Sequence, residues 1–196
     1  TIAEIEGERK YFARGVGDFS PGGAVDRGEG GIENWTPTEE STADARAEAA
    51  GRAATAFAAG RASQSRRSYD AALRSYRAAR ADFTQSGDQL GVANSWQGEG
   101  ESLTAIGDFD GAARAHAAAL DAYETLGVAV GRANALFGLG VAAQRRDPNR
   151  AAERFRAAAE IYAAAGLEKW AAHARGAWAK LPQTARIAAP IEDAGG

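Results

Sequence analysis

Few residues in this chain have the type and spacing that catalysis requires. The 196 residues include two histidines and no cysteine, which excludes thiol catalysis and zinc or iron–sulfur sites with cysteine ligands. His116 takes a position that Tyr76 and Phe155 hold elsewhere in the chain, which predicts a packed helix face. His173 has no histidine or cysteine at metal-ligand spacing. We therefore predict no catalytic or metal-binding histidine.

Four carboxylates lie close together in the sequence and could in principle form the acid–base pair of a hydrolase. They are Glu99, Glu101, Asp108 and Asp110. The two aspartates flank a predicted tight turn, where either can accept hydrogen bonds from the first N–H groups of the next helix. Residues 108–111 are also too short to form a calcium loop. We therefore interpret this group as turn and capping residues.

Three further motifs could carry chemistry, and none is complete. Thr1 could act as an N-terminal nucleophile, but that chemistry needs a pocket and a nearby base. Asn34-Trp35-Thr36 matches a glycosylation sequon, a triplet that is frequent by chance. Gly138-Leu139-Gly140 recurs with the repeats described below, and no phosphate-binding P-loop motif is present. The sequence thus predicts no catalytic residue, no cofactor and no metal ion.

Alanine dominates the composition, with 50 of the 196 residues. Because alanine is the best helix former and lets helix backbones approach closely, we predict an all-α fold. The net charge of −3 and the isoelectric point near 5.5 argue against a nucleic-acid-binding protein, which usually carries a basic excess. No apolar run reaches the roughly 20 residues that a membrane span needs, which leaves peripheral membrane association open.

Residue types recur along the chain at a spacing of 39 or 40 positions. Six columns of residues keep this one register, so we predict a repeat protein. The columns are Gly51, Gly91 and Gly131; Gly60, Gly100 and Gly140; Ala72, Ala112 and Ala151; Tyr76, His116 and Phe155; Phe83, Tyr123 and Tyr162; and Gly87, Gly127 and Gly166.

Each repeat is predicted to contain two helices. In the middle repeat, residues 92–105 form the first helix, residues 106–109 a tight turn, and the second helix runs to Leu126. Gly127 supplies the left-handed conformation that ends this helix. In the third repeat the turn shortens to Arg146-Asp147-Pro148, where proline is tolerated in the first helical turn. A first helix is predicted over about residues 37–60.

These residues resemble the tetratricopeptide repeat family over about residues 43–180. The family pattern reads Trp96-x2-Glu99-Gly100-x2-Leu103…Ala112-x3-His116 in the second repeat and Leu136-x2-Leu139-Gly140-x2-Ala143…Ala151-x3-Phe155 in the third. Glu99 departs from the usual leucine. HEAT and armadillo units share the period but lack the alanine–aromatic column, and they rank second. The resemblance implies an all-α, right-handed solenoid of three helix-turn-helix repeats.

The two ends of the chain differ from the repeats. A terminal helix over residues 170–181 is predicted to cap the last repeat, and Pro182 ends it. We expect an extended glycine-rich arm over residues 1–36, a repeat domain over residues 37–181 and a tail over residues 182–196. Apolar residues scattered through the arm are predicted to anchor it, namely Ile2, Ile5, Tyr11, Phe12, Phe19 and Trp35.

The resemblance also implies a partner-binding groove, lined by one face of the first helix of each repeat. Amide side chains and phenylalanines on that face suit an extended peptide backbone with apolar anchors. The positions carried over are Phe57, Arg61 and Gln64; Asn94, Gln97, Glu101 and Thr104; and Asn134, Phe137, Val141 and Gln144. Whether the arm binds a partner or folds back on this groove stays open.

The function that this reasoning favours is a non-catalytic protein–protein interaction scaffold. We expect an accessory or assembly subunit of a larger complex, which contacts its partners through the arm and the concave face. The alternative is a regulatory or sensor module of a signalling or transcriptional regulator, and an enzyme ranks third. The identity of the partner, the pathway and the oligomeric state stay open.

The chain contains no methionine, so Thr1 is not a retained initiator. Removal of the initiator alone, cleavage of a presequence and trimming of the chain all fit this observation. We expect cleavage of a targeting segment, which places the protein in a periplasm or an organelle, and otherwise in the cytoplasm.

Overall fold

The computed structural model describes residues 39–188, and this part of the chain contains eight helices and no strand. The all-α prediction is therefore confirmed for these residues. The helices are α1 (Glu39–Ser65), α2 (Tyr69–Ser86), α3 (Gln89–Ile106), α4 (Phe109–Leu126), α5 (Ala129–Ala143), α6 (Pro148–Ala164), α7 (Glu168–Ala179) and α8 (Gln183–Ala188). The arm anchors and the sequon lie outside the described residues.

Consecutive helices from α1 to α7 pack against each other, and three contacts skip a helix. Helix α1 contacts α3, α3 contacts α5, and α6 contacts α8. The first helices of the three predicted hairpins, α1, α3 and α5, therefore form a continuous series of neighbours. This series positions the residues of the candidate site.

The helix ends follow from local capping. Gly107 and Gly127 adopt φ values of 85° and 68°, a left-handed conformation that only glycine reaches without strain. Of the two predicted capping aspartates, Asp108 accepts a hydrogen bond from the backbone N–H of Gly111 at 2.8 Å. Asp147 does the same for Arg150 at 3.0 Å. The predicted turns at these positions are confirmed.

The aromatic column of the second helices packs against glycines of the first helices. A Cβ atom added at Gly60 would lie 2.8 Å from the ring of Tyr76, and one added at Gly98 would lie 2.5 Å from it. Tyr76 is 1% exposed, so its ring fills the space that these two glycines leave. A side chain at either glycine would force α1 or α3 away from α2.

His116 repeats this arrangement one hairpin later. A Cβ atom added at Gly100 would lie 2.7 Å from its imidazole, and one added at Gly138 would lie 2.5 Å from it. Gly140 faces Phe155 in the same way, at 2.6 Å. Each ring thus lies against the first helix of its own hairpin, and Tyr76 and His116 also lie against the first helix of the next. The spacing of the repeat columns follows from this packing.

A buried carboxylate replaces the expected apolar contact between α2 and α3. Glu99 is 5% exposed and accepts hydrogen bonds from Nε of Arg77 at 2.7 Å and from Nη1 of Arg80 at 3.0 Å. The Arg80 guanidinium lies 3.2 Å from the ring centroid of Trp96. Two cationic partners offset the cost of burying the charge, which explains how a glutamate is accommodated at this buried position.

The C-terminal end differs from the prediction in one respect. Helix α7 covers most of the predicted terminal helix and buries Ala171 and Ala174. Residues 183–188, which we expected to be a tail, form helix α8 instead. Ala185 of this helix is 1% exposed and packs with Leu181 and Phe155. Leu181 and Ala185 are four residues apart and therefore lie on the same side of the chain. Through this side the segment packs on α6.

Candidate binding groove

Six of the predicted groove residues line one pocket of about 320 Å³. They are contributed by α3 and α5 and comprise Gln97, Glu101, Thr104, Asn134, Phe137 and Val141. The structure brings them together because α3 and α5 contact each other across the series of first helices. Asn94 lies on α3 but does not line the pocket.

Five residues that the sequence analysis did not assign to the groove complete the pocket. They are His116, Gly138, Tyr162, Trp170 and His173. The column pattern did mark Tyr162 and His116, but as packing residues. Trp170 and His173 were assigned to the terminal helix, and no spacing rule connects that helix to a groove on α3 and α5.

Three more of the predicted groove residues do not line the pocket, namely Phe57, Arg61 and Gln144. The ring of Phe57 is half-buried and lies 5.5 Å from that of Tyr76 and 6.2 Å from that of Phe83. Gln144 ends α5, where its backbone N–H donates to the carbonyl of Gly140. Arg61 is exposed on α1. Phe57, which we predict as a groove residue, thus packs on two rings of α2.

Glu101 is the centre of a hydrogen-bond chain that joins α1, α2 and α3. The Tyr76 hydroxyl donates to Oε1 of Gln64 at 2.8 Å, and Nε2 of Gln64 donates to Oε2 of Glu101 at 3.0 Å. From the other side, Nε2 of Gln97 donates to Oε1 of Glu101 at 3.1 Å. Each carboxylate oxygen therefore accepts one amide N–H, and the carboxylate is held in a fixed orientation.

The imidazole of His116 ends this chain. Its Nδ1 lies 3.2 Å from Oε1 of Gln97. Because the Gln97 amide already donates through its nitrogen to Glu101, its oxygen accepts, and Nδ1 of His116 carries the proton. Burial lowers the pKa of His116 to about 4, so the ring is neutral at pH 7.

Tyrosine–asparagine pairs repeat along the groove. The Tyr123 hydroxyl donates to Oδ1 of Asn94 at 2.8 Å, and the Tyr162 hydroxyl donates to Oδ1 of Asn134 at 2.6 Å. Among the described residues neither asparagine NH2 group has a hydrogen-bond acceptor. Two outward amide donors therefore remain available to a ligand backbone.

The negative charge of Glu101 affects the pKa of one tyrosine in each of the three hairpins. The pKa values of Tyr76, Tyr123 and Tyr162 are each raised to about 12, first by burial and then by repulsion from Glu101. The three hydroxyls therefore stay protonated and donate their hydrogen bonds over the physiological range. The carboxylate lies close to the middle of the groove.

An aromatic wall closes the pocket on the side of α7. The rings of Phe137 and His173 are 5.1 Å apart, and those of Tyr162 and Trp170 are 6.2 Å apart. Trp170 is 58% exposed, which is unusual for so large an apolar side chain. The pocket therefore combines one carboxylate with exposed aromatic surface.

The described residues hold no cluster of three histidines or carboxylates that could bind a metal ion. None of the described helices combines the length and the apolar character that a bilayer crossing requires. No family model, curated protein or solved structure matches this chain.

Proposed function

We propose that this chain is a non-catalytic protein–protein interaction scaffold, an accessory or assembly subunit of a larger complex. The proposed architecture is a right-handed, tetratricopeptide-like solenoid of three hairpins with α7 as its cap. The contacts of α1 with α3 and of α3 with α5 support this architecture, because stacked repeats bring successive first helices together. The repeating contacts between the aromatic and glycine columns support it as well.

One observation carries the proposal: α3 and α5 present polar and aromatic side chains on a shared open pocket. Asn134 keeps an amide donor free, Thr104 and Val141 are half-buried, and Trp170 is exposed. Such a combination of hydrogen-bond donors and exposed aromatic surface is typical of protein interfaces. The N-terminal arm is proposed as a second contact, on the strength of its apolar residues in the sequence.

A blocking substitution tests the groove without changing its charge. Thr104→Trp places a large ring in the pocket, and Ala117→Trp places the same ring on an exposed position of α4 outside that pocket. We expect the wild type and Ala117→Trp to recover the same protein from the native source at low salt, identified by mass spectrometry. Thr104→Trp is expected to lose that protein. Equal recovery by both variants would contradict a role for the groove.

Deletion of residues 1–35 tests the arm separately. We expect the shortened chain to recover less of the same partner, because its apolar anchors are gone. Circular dichroism melting of the shortened chain serves as the control for folding. Unchanged recovery together with unchanged stability would remove the arm from the proposal and leave the groove.

A regulatory or sensor module is the second candidate, and the pocket favours it. A volume of about 320 Å³ lies at the lower end of the range of small-molecule sites. This function predicts a small molecule that copurifies with the full chain and that changes the affinity for the protein partner. Native mass spectrometry of the purified chain measures the first, and partner recovery with and without that molecule measures the second.

A further inference from the structure

The pocket contains a negative charge without a cationic partner. Among the described residues no lysine or arginine forms an ion pair with Glu101, and none lines the pocket. By contrast, Glu99, two residues earlier, pairs with Arg77 and Arg80. We infer that the pocket is a cation site that takes an arginine side chain of the partner protein, with the Glu101 carboxylate as its anchor. This inference rests on the proposed interaction function.

The Glu101 carboxylate is prepared for such a contact. Amide groups of Gln64 and Gln97 each donate to one of its oxygens, at 3.0 and 3.1 Å. These two bonds fix the carboxylate and leave further lone pairs on both oxygens. A guanidinium can donate two parallel hydrogen bonds to a carboxylate. Because the Glu101 side chain is already ordered, it loses little conformational entropy when a guanidinium binds.

The aromatic wall supplies the second part of the recognition. A planar guanidinium stacks on aromatic faces, and tryptophan is the best of these. Trp170 is 58% exposed at the pocket edge, and the rings of Tyr162 and Phe137 line the same pocket. The chain itself shows this chemistry elsewhere, because the Arg80 guanidinium lies 3.2 Å from the Trp96 ring centroid and pairs with Glu99.

The electrostatics of the lining disfavour an anion. Glu101 repels negative charge, and its effect on Tyr76, Tyr123 and Tyr162 extends over three hairpins. Arg61 of α1 is exposed, and its positive charge acts on the pKa of Tyr76 in the opposite direction to that of Glu101. Among the described residues, however, Arg61 forms no ion pair with Glu101, and it does not line the pocket. Like charges brought together would oppose the binding of an acidic segment. The groove is therefore selective for positive charge at its centre.

Titration with short peptides tests the inference on the full chain. The probe is an acetylated and amidated pentapeptide, Gly-Gly-Arg-Gly-Gly, followed by nuclear magnetic resonance of the ¹⁵N-labelled protein at low salt. Its matched control carries citrulline, which keeps the shape of arginine and lacks its charge. We expect the arginine probe to shift the Trp170 indole and Asn134 amide signals and to bind about fivefold more tightly than the citrulline probe. Equal binding of the two would overturn the inference.

Two substitutions separate charge from folding. Glu101→Gln keeps the size of the side chain, and we expect it to weaken the arginine probe about fivefold. Glu153→Gln removes an exposed carboxylate of α6 outside the pocket and is expected to leave binding unchanged. If Glu101→Gln does not fold, Trp170→Ala is used instead. We expect this variant to bind the arginine probe severalfold more weakly, because the exposed ring no longer stacks on the guanidinium. Unchanged binding in the folded pocket variant contradicts the cation site.

The inference and the proposed function fail in different experiments. If Thr104→Trp loses the protein partner while the arginine probe does not bind, the scaffold function stands and the cation site is wrong. If the arginine probe binds through Glu101 while no protein depends on the groove, the scaffold function is wrong and the pocket remains a cation site. If a pentapeptide with glutamate in place of arginine bound more tightly than the arginine probe, the inferred preference for a positively charged ligand would be wrong.

Discussion

Gly138 of α5 lies directly against the imidazole of His116 in α4, so that a Cβ atom at this glycine would come within 2.5 Å of the ring. The contact joins two successive hairpins and lies at the inner end of the candidate pocket. Gly138 cannot carry a side chain without moving α5 away from α4, because packed interiors have no spare volume.

Replacing Gly138 by alanine is expected to destabilise the protein. Alanine gains about 1 kcal/mol of helix propensity, but overpacking against His116 costs about 1–3 kcal/mol. Gly51→Ala is the matched control, because a Cβ atom there meets nothing within 4 Å. That variant should gain about 0.5–1 kcal/mol. Urea unfolding of both measures the difference, and equal gains would contradict the packing described for His116.

Acidification is expected to lower the free energy of unfolding, because His116 becomes protonated in the unfolded state. Burial lowers the pKa of this ring to about 4 in the folded chain, whereas an unfolded histidine titrates near 6.5. The unfolded state therefore binds the proton more tightly. The stability due to this group is fully present above about pH 6.5 and is lost as the pH falls towards 4, by about 1.4 kcal/mol per pH unit.

The variant His116→Phe isolates that effect, because Phe155 holds the equivalent position in the next hairpin. We expect its unfolding free energy to change less between pH 7 and 4.5 than that of the wild type. Denaturant melts at several pH values provide the comparison. Parallel pH profiles for the two chains would show that His116 is not the group that titrates.

Glu99→Gln is expected to destabilise the contact between α2 and α3. The amide keeps the volume of the side chain, but its NH2 group replaces the oxygen that accepts from one of the two arginines, Arg77 or Arg80. Both guanidinium groups lose their charged partner. The expected loss is about 1–3 kcal/mol. The ion pair of Arg52 with Asp82 is more exposed, so Asp82→Asn should cost less than about 1 kcal/mol. Chemical denaturation distinguishes the two variants, and the reverse order would contradict the role given to Glu99.

Asp108→Ala is expected to weaken the start of α4. The aspartate accepts a hydrogen bond from the N–H of Gly111 at 2.8 Å, and loss of such a cap costs about 1 kcal/mol. Asp110 does not cap a helix and forms an exposed ion pair with Arg146, which is worth less than about 1 kcal/mol. Asp110→Ala serves as the comparison. Thermal unfolding followed by circular dichroism should show a lower midpoint for Asp108→Ala. Identical midpoints would contradict the assignment of Asp108 as the cap.

The sequence by itself determined the helices and their register. Gly127 and Asp108 act on their own helix ends through bonds between near neighbours, and the periodic columns identify which faces are buried. These features are local or repeat at a fixed spacing, so they can be found from residue types alone. The structure differs at residues 183–188, where a helix of only six residues, too short to be stable alone, forms because it covers an apolar surface of α6.

Only the tertiary structure decided which polar and aromatic side chains meet. Gln64 and Glu101 are 37 residues apart in the chain, and their hydrogen bond depends on the distance between α1 and α3. Trp170 reaches the pocket because α7 packs on α6. Phe57 turns inward for a similar reason, since Tyr76 offers it a ring to pack against. Residue spacing specifies the face of a helix, but the position of that face relative to another helix is set by the packing between them.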